Sequence, residues 1–66
     1  MNLRTAQEAT QLLLTAGKSQ RSIAERAGVT QPTISRILSG ELKDPAGSTL
    51  IKLNEFADEV ARASTT

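Results

Sequence analysis

The side chains that could do chemistry are concentrated on one side of residues 31–39, QPTISRILS. On a helical wheel the aliphatic residues of this segment fall together, and the opposite and flanking positions carry exposed groups. The exposed set comprises Gln31, Pro32, Thr33, Ser35, Arg36 and Ser39. Amide, hydroxyl and guanidinium groups form directional hydrogen bonds. The pattern therefore indicates a polar, projecting surface that binds a hydrogen-bonding partner.

The residue types that are absent narrow the possible functions further. The 66 residues include no cysteine and no histidine, which excludes disulfides, thiolate zinc sites, cysteine nucleophiles and imidazole bases. Glu55 and Glu59 are one helical turn apart with Asp58 beside them, an arrangement that could bind a metal or act in acid–base chemistry. Without histidine or a second domain to form a pocket, a solvated acidic face is the better interpretation. We predict no enzymatic activity, no cofactor, no metal and no small-molecule ligand.

Two short helical patterns, joined by a glycine turn, position the polar surface. Ile23, Ala24 and Ala27 put apolar or small atoms on one face of the first helix. Gly28 can adopt the positive φ that a sharp turn requires, and Val29 fills the angle between the helices. Because Ala24 is small, two steeply crossing helices can approach each other closely there.

Another helix is predicted before this pair. Thr5 and Glu8 have the spacing of a capping box, and Asn2 is an alternative, earlier cap. The helix is expected to run to Ala16, with Gly17 in the C′ position. Its apolar stripe comprises Ala9, Leu12, Leu13 and Ala16.

A fourth helix is predicted after the pair. It begins at Ser48, after a loop over 40–48 that contains two glycines and one proline. Its inward-facing residues are Leu50, Leu53, Phe56, Ala57 and Val60. Residues 63–66 are expected to form a frayed tail. With no strand or repeat pattern, residues 1–66 are predicted to form a single all-α domain with a helix-turn-helix at about 20–39.

Seven positions in the central segment share a fixed spacing that is characteristic of a known family. They are Gln20, Ile23, Ala24, Gly28, Val29, Ile34 and Ile37. Together they match the pattern Q-x-x-[aliphatic]-A-x-x-x-G-[aliphatic]-x-x-x-x-[aliphatic]-x-x-[aliphatic]. The segment resembles the lambda-repressor-like helix-turn-helix family, also described as Cro/repressor or XRE-type, and weaker similarity extends over about residues 9–57. The resemblance implies a compact DNA-binding domain of helices.

The chain departs from that family in two respects. Many members place an arginine late in the first helix opposite a glutamate near the end of the third, and the corresponding residues here are Leu13 and Leu38. An apolar pair can replace a buried ion pair without loss of stability, because no charge is desolvated. We therefore predict that Leu13 and Leu38 are in contact. The fifth helix, which members frequently use in dimer contacts, is absent from the pattern, so the mode of dimerisation stays open.

The resemblance implies that the tip of the third helix enters the major groove of DNA. Gln31 would form the paired amide contact to adenine N6 and N7, and Pro32 would touch a thymine methyl group. Arg36 would reach guanine O6 and N7 or a phosphate, and the sequence does not decide between them. Ser35 and Thr33 flank this surface, and Thr33 could contact a base or the backbone.

A second set of residues is expected to bind the DNA backbone. Gln20 resembles the family glutamine that binds phosphate and braces the glutamine at the tip of the third helix. Exposed amides at the start of the second helix favour an anion at the same place. Arg21 and Lys43 are candidate phosphate ligands, and Ser39 is expected to contact the backbone as well. For Arg21 and Lys43 the alternative of an ordinary solvated side chain stays open, as does an ion pair with a neighbouring helix for Arg36.

The net charge of +1 hides an asymmetry along the chain. Residues 18–43 carry five basic side chains against two acidic ones, whereas the other segments carry three basic and five acidic. This division suits a DNA-binding face with a repelling back. No apolar run approaches the roughly 20 residues of a membrane span, and no signal peptide is visible. We therefore expect no membrane partner and a location in the cytoplasm of a bacterial host cell.

The resemblance and the charge pattern predict sequence-specific binding of double-stranded DNA. We expect a small transcriptional repressor of phage or prophage type that occludes a promoter. Such proteins usually bind palindromic operators as homodimers, with half-sites about one helical turn apart. The alternatives are an antitoxin or operon autoregulator, a DNA-binding module of a recombination factor, and a protein-interaction module that uses Leu14 or the last helix.

Overall fold

A computed structural model describes residues 3–63, and helices account for most of this range. Helix α1 spans Ala6–Thr15, α2 spans Gln20–Ala27, α3 spans Gln31–Ser39 and α4 spans Gly47–Ala63. Residues 3–63 contain no strand and no fifth helix. The prediction of an all-α fold with four helices is therefore confirmed. None of the helices in this range is both long enough and apolar enough to span a membrane.

The first three helices begin at hydroxyl side chains. Thr5, Ser19 and Thr30 each accept a hydrogen bond from the backbone N–H three residues later, which satisfies a donor that the helix itself leaves unpaired. In α1 the predicted capping box is complete. Thr5 Oγ1 accepts from the Glu8 N–H at 3.1 Å, and Glu8 Oε1 accepts from the Thr5 N–H at 2.9 Å. Hydrogen bonding to the Thr5 N–H, and to a smaller extent to the Thr5 hydroxyl, holds the pKa of Glu8 below its ordinary value.

One apolar core lies between the four helices. Its buried residues are Ala6, Ala9, Leu13, Ile23, Ala24, Ala27, Ile34, Ile37, Leu53, Phe56 and Ala57. Helix α4 packs against α1 and α2, and α3 packs against the same two helices. Within the part of the chain that the structure describes, α3 and α4 do not approach each other. The first two helices therefore separate α3 from α4.

Several aliphatic side chains pack on the margin of this core. They are Leu12, Leu14, Val29, Leu38, Leu42, Leu50 and Val60. Leu13 and Leu38 thus belong to one cluster, and their direct contact stays a prediction. Because Leu14 packs inward as well, little of its side chain is available to a partner.

The boundaries differ from the prediction at three places. Ala16 is exposed and not part of the core, because α1 ends at Thr15 and Ala16 is its C-cap. Helix α4 begins at Gly47, one residue before the predicted start. Ala63, predicted to be in a frayed tail, is a residue of α4, whereas residues 64–66 and the alternative cap Asn2 lie outside the described residues.

A buried asparagine that the sequence analysis missed fastens the chain before α1 to α4. Asn54 is 3% exposed. Its Oδ1 accepts from the Arg4 N–H at 2.8 Å, and its Nδ2 donates to the Arg4 and Leu50 carbonyls, both at 3.0 Å. The Arg4 side chain also forms an ion pair with Asp58, at 2.8 Å. The backbone of Arg4 is therefore held on both its donor and its acceptor.

Replacing Asn54 is expected to destabilise the fold more than breaking the neighbouring ion pair. Asn54→Leu leaves the partly buried Arg4 N–H and carbonyl without partners, which costs about 1–3 kcal/mol. Asp58→Asn removes an ion pair whose side chains are 32% and 58% exposed, and such surface pairs contribute at most about 1 kcal/mol. Urea denaturation of the two variants measures both losses. Equal losses would show that the ion pair, and not the asparagine, fastens this segment.

The capping box is expected to make part of the stability depend on pH. Because the folded-state pKa of Glu8 is lowered, its contribution is complete above the ordinary glutamate pKa of about 4.3. It is lost as pH falls through the lowered folded-state pKa. Glu8→Gln should therefore lower Tm at pH 7, and this difference from wild type should shrink below about pH 4.

Thermal unfolding between pH 7 and pH 3 checks this prediction. Glu55→Gln is the matched control, because Glu55 is an exposed carboxylate with no hydrogen bond or ion pair to any described residue. A difference between Glu8→Gln and wild type that stays constant down to pH 3 would contradict a role for the Glu8 charge.

Candidate nucleic-acid interface

The turn between α2 and α3 is built on Gly28. This residue has a φ of 72°, a left-handed backbone that costs an L-residue with a side chain about 1–2 kcal/mol. The Gly28 N–H donates to the Glu25 carbonyl at 3.3 Å, and the Val29 N–H donates to the Ala24 carbonyl at 3.0 Å. This pair of hydrogen bonds is a Schellman motif, which closes α2 and redirects the chain into α3.

Helix α3 buries one side and exposes the other. Ile34 and Ile37 are 0% exposed, so they fix the rotation of α3 about its axis. Gln31 and Arg36 consequently lie in the solvent on the other side. Pro32 falls in the first turn, where its missing N–H costs no hydrogen bond within the helix.

A shallow surface depression brings together most of the predicted site residues. It is lined by Gln20, Gln31, Pro32, Ser35 and Arg36. The first residue of α2, Gln20, therefore stands beside the outer face of α3. A site that contacts both the bases and a phosphate of DNA would require this proximity. Four of the five predicted base-reading residues belong to this group.

The side chains of the depression have free hydrogen-bonding capacity. Among residues 3–63, the side chains of Gln20, Gln31 and Arg36 make no hydrogen bond or ion pair. Arg36 thus does not form the ion pair with a neighbouring helix that the sequence left open. An amide offers both a donor and an acceptor, and a guanidinium offers five donors. These groups can bind a partner without first breaking bonds within the protein.

Thr33, predicted to read bases together with the residues of the depression, does not line the depression. It is half-buried, and its hydroxyl lies 2.9 Å from that of Thr30, the N-cap of α3. The Thr33 N–H also donates to the Thr30 carbonyl at 3.1 Å. The Thr33 hydroxyl therefore already has a partner at the tip of α3. The exposed Thr30 is therefore part of that tip as well.

The remaining predicted backbone ligands lie outside the depression. Ser39 Oγ donates to the Arg36 carbonyl at 3.0 Å and accepts from the Glu41 N–H at 3.4 Å. Lys43 lies in the loop after α3 and lines a separate depression. Arg21 is exposed on α2. The structure therefore gathers Gln20 with the tip of α3 but does not gather the other three there.

Ion pairs neutralise part of the basic charge on the α4 side of the protein. Arg26 forms an ion pair with Glu59 and lies over the Phe56 ring, 4.3 Å from its centroid. This pair, together with the Arg4 pair to Asp58, gives two of the three clustered carboxylates a partner. Among the described residues, the side chains of Arg21, Arg36 and Lys43 have no ion pair. Lys18 and Lys52 have no ion pair either, so four of the five unpaired cations of the described residues lie within residues 18–43. The fifth, Lys52 on α4, brings its Nζ to 3.4 Å from where a Cβ on Gly28 would stand.

Comparison with known proteins identifies the class to which this arrangement belongs. A family model described as Helix-turn-helix matches residues 11–60, which is more than half of the chain. The chain therefore belongs to this helix-turn-helix family, of XRE type. This membership confirms the resemblance found in the sequence. It supports a role as a DNA-binding regulator of transcription.

A curated phage protein is also similar to the chain. The chain is 44% identical over 57 residues to protein P2 of Acyrthosiphon pisum secondary endosymbiont phage 1. The matched region covers 86% of this chain and 61% of the relative, so the chain spans about three fifths of the length of that relative. No solved structure matches the chain.

Proposed function

We propose that this protein binds double-stranded DNA sequence-specifically and represses transcription by occluding a promoter. The observation that carries the proposal is the exposed depression formed by Gln20 and the outer face of α3. Its side chains make no hydrogen bond or ion pair with a described residue, and all but that of Gln20 lie on α3, whose other side is buried. Membership of a helix-turn-helix family supports the same role. In this proposal residues 1–66 act as one DNA-binding domain.

The tip of α3 would read bases in the major groove. Gln31 suits adenine, because its amide can donate to N7 and accept from N6. Pro32 presents apolar atoms to a thymine methyl group, and Ser35 can donate or accept. Arg36 lines the same depression as Gln31, which favours a guanine contact over a phosphate for its guanidinium. Thr33 would contribute its methyl group, since its hydroxyl is bonded to Thr30.

The start of α2 would hold a phosphate beside that tip. Among the described residues, the backbone N–H groups of Gln20 and Arg21 have no acceptor, and helix amino termini attract anions. The Gln20 amide and the Arg21 guanidinium would add donors at the same end. Lys43 would neutralise a phosphate next to the loop after α3. To donate to a phosphate, the Ser39 hydroxyl would turn its hydrogen away from the Arg36 carbonyl. That carbonyl would still accept a hydrogen bond from the Leu42 N–H, at 3.1 Å.

A homodimer on a palindromic operator would supply the affinity that one copy lacks. A single nine-residue recognition helix contacts few base pairs, and two copies related by a two-fold axis read two half-sites. Similarity to a phage protein supports an origin in a phage or prophage. A repressor of this kind acts by covering the promoter.

Removing the base-reading groups is expected to reduce specificity rather than general affinity. A duplex selected by the wild-type protein from a random pool serves as the specific probe, and a scrambled duplex serves as the non-specific one. Gln31→Ala and Arg36→Ala should each weaken specific binding about ten- to a hundredfold, since a paired base contact contributes about 1–3 kcal/mol of discrimination. Band shifts measure both affinities.

Two matched variants control for the change of residue type and charge. Gln11→Ala alters an exposed glutamine of α1, and Arg62→Ala removes an exposed arginine from the carboxyl-terminal end of α4, a helix that does not approach α3 in the described structure. Both should keep the ratio of specific to non-specific affinity within about twofold, as expected for surface substitutions. If Gln31→Ala and Arg36→Ala weaken binding to all duplexes equally, they do not read bases.

Salt dependence is expected to separate DNA binding from a protein-interaction role. Each phosphate that a cation neutralises contributes about −0.9 to the slope of log K against log salt. The wild-type slope should correspond to several phosphates, and Arg21→Ala and Lys43→Ala should each reduce its magnitude by about 1. A slope near zero for the wild-type protein would favour a protein-interaction module instead.

A further inference from the structure

In the part of the chain that the structure describes, a single hydrogen bond joins α3 to another helix. Gln7 Nε2, on α1, donates to the Leu38 carbonyl at 2.9 Å. Across residues 3–63, no other hydrogen bond joins α3 to another helix. The aliphatic side of α3 packs against α1 and α2, and Gln20 of α2 stands beside its outer face without a hydrogen bond to a described residue. Within the described part of the chain, the amide of Gln7 is therefore the one hydrogen-bonded restraint that another helix places on α3.

This hydrogen bond supplies one of the donors that the carboxyl end of α3 needs. The last carbonyls of a helix lack partners within it and need donors from elsewhere. The Arg36 carbonyl accepts from the Leu42 N–H at 3.1 Å, and the Ile37 carbonyl accepts from the Gly40 N–H at 3.2 Å. The Leu38 carbonyl receives its donor from Gln7 on α1. One end of α3 is thus closed by a different helix.

We propose that Gln7 is a positioning residue for DNA recognition, which rests on the function proposed above. Burial of Ile34 and Ile37 determines which face α3 turns to the core, but apolar attraction is non-directional and restrains small movements of the helix along its axis less strongly. A hydrogen bond weakens steeply when its angle departs from linearity, so Gln7 resists such movements. Since α3 is a nine-residue rod of about 13 Å, a movement at its carboxyl end also moves Gln31 and Arg36.

The position of Gln7 allows the proposal to be tested without damaging the core. Its side chain is exposed, so its replacement leaves no cavity. The amide lies against the C-cap of α3, where a Cβ placed on Gly40 would stand 3.8 Å from Nε2. Gln11, one turn further along α1, is also exposed and makes no side-chain hydrogen bond to any described residue. It provides the matched control for every substitution of Gln7.

The experiment compares the affinity of each variant for the wild-type-selected duplex and for a scrambled duplex of the same length. Gln7→Met removes the donor with little change in size and no change in charge. It should lower the ratio of specific to non-specific affinity about three- to tenfold, the loss expected for one net hydrogen bond. Its affinity for the scrambled duplex and its salt slope should match those of the wild-type protein. Gln11→Met should keep the wild-type ratio.

A second pair of variants tests the polarity of the contact. Gln7→Glu places a carboxylate against the negative end of α3, so it should lower the ratio at least as far as Gln7→Met. Gln11→Glu carries the same charge change and should leave the ratio within twofold of the wild-type value. The ratio does not depend on the folded fraction, because unfolding reduces both affinities equally.

The outcomes separate this inference from the function on which it rests. If wild-type protein prefers the selected duplex and Gln7→Met keeps the wild-type ratio, Gln7 does not position α3. If Gln7→Met weakens both affinities equally, its role is stability alone, and the proposal is overturned. If the wild-type protein prefers no duplex over the scrambled one, the proposed function itself is wrong.

Discussion

The burial of Ile34 and Ile37 is the constraint on which the rest of the structure depends. Helix α3 packs against α1 and α2 but not α4 within the described residues, so two fully buried side chains determine much of its orientation. Burying an isoleucine contributes about 1.5–3 kcal/mol, which is large beside the few kcal/mol expected for a small domain. A rotation that exposed either side chain would be strongly unfavourable. The positions of Gln31 and Arg36 in the solvent follow from that burial, not from their own contacts.

The acidic residues of α4 bind basic side chains that are not part of the candidate site. Asp58 and Glu59 bind Arg4 and Arg26, which removes two cations from the surface available to a polyanion. Salt screens exposed charges beyond about 8 Å at physiological ionic strength. Within the described residues α4 does not approach α3, and its carboxylates form no ion pair with Arg36. A cluster that resembles an acid–base site in the sequence therefore serves as a set of ion-pair partners.

Features that depend on nearby residues could be predicted from the sequence. The Thr5 and Glu8 capping box and the left-handed Gly28 involve residues a few positions apart, where local rules apply. Contacts between distant residues could not be predicted. Asn54 binds a residue fifty positions earlier, and hydropathy gives no sign that such a polar residue is buried. Ala16 shows a different limit, because alanine suits a core stripe and an exposed helix end equally well.

The candidate site shows the same division between local and distant information. The grouping of Gln31, Pro32, Ser35 and Arg36 follows from helical periodicity, and the structure places all four around one depression. That Gln20 joins them depends on how sharply the chain turns at Gly28. Sequence periodicity also placed Thr33 near the outer face, but it could not show that the hydroxyl of Thr30 occupies it. Residue types were therefore easier to predict than their free hydrogen-bonding capacity.

The way α3 is fastened suits a helix that must bind a partner. If Arg36 were paired with a carboxylate of another helix, binding to a phosphate or a base would first require that ion pair to break. The interhelical hydrogen bond of α3 instead uses a backbone carbonyl, that of Leu38. It lies at the carboxyl end of the helix, whereas Gln31 is the first residue at the other end. The protein thus orients α3 without using the side chains that would contact DNA, so orientation and binding do not compete for the same groups.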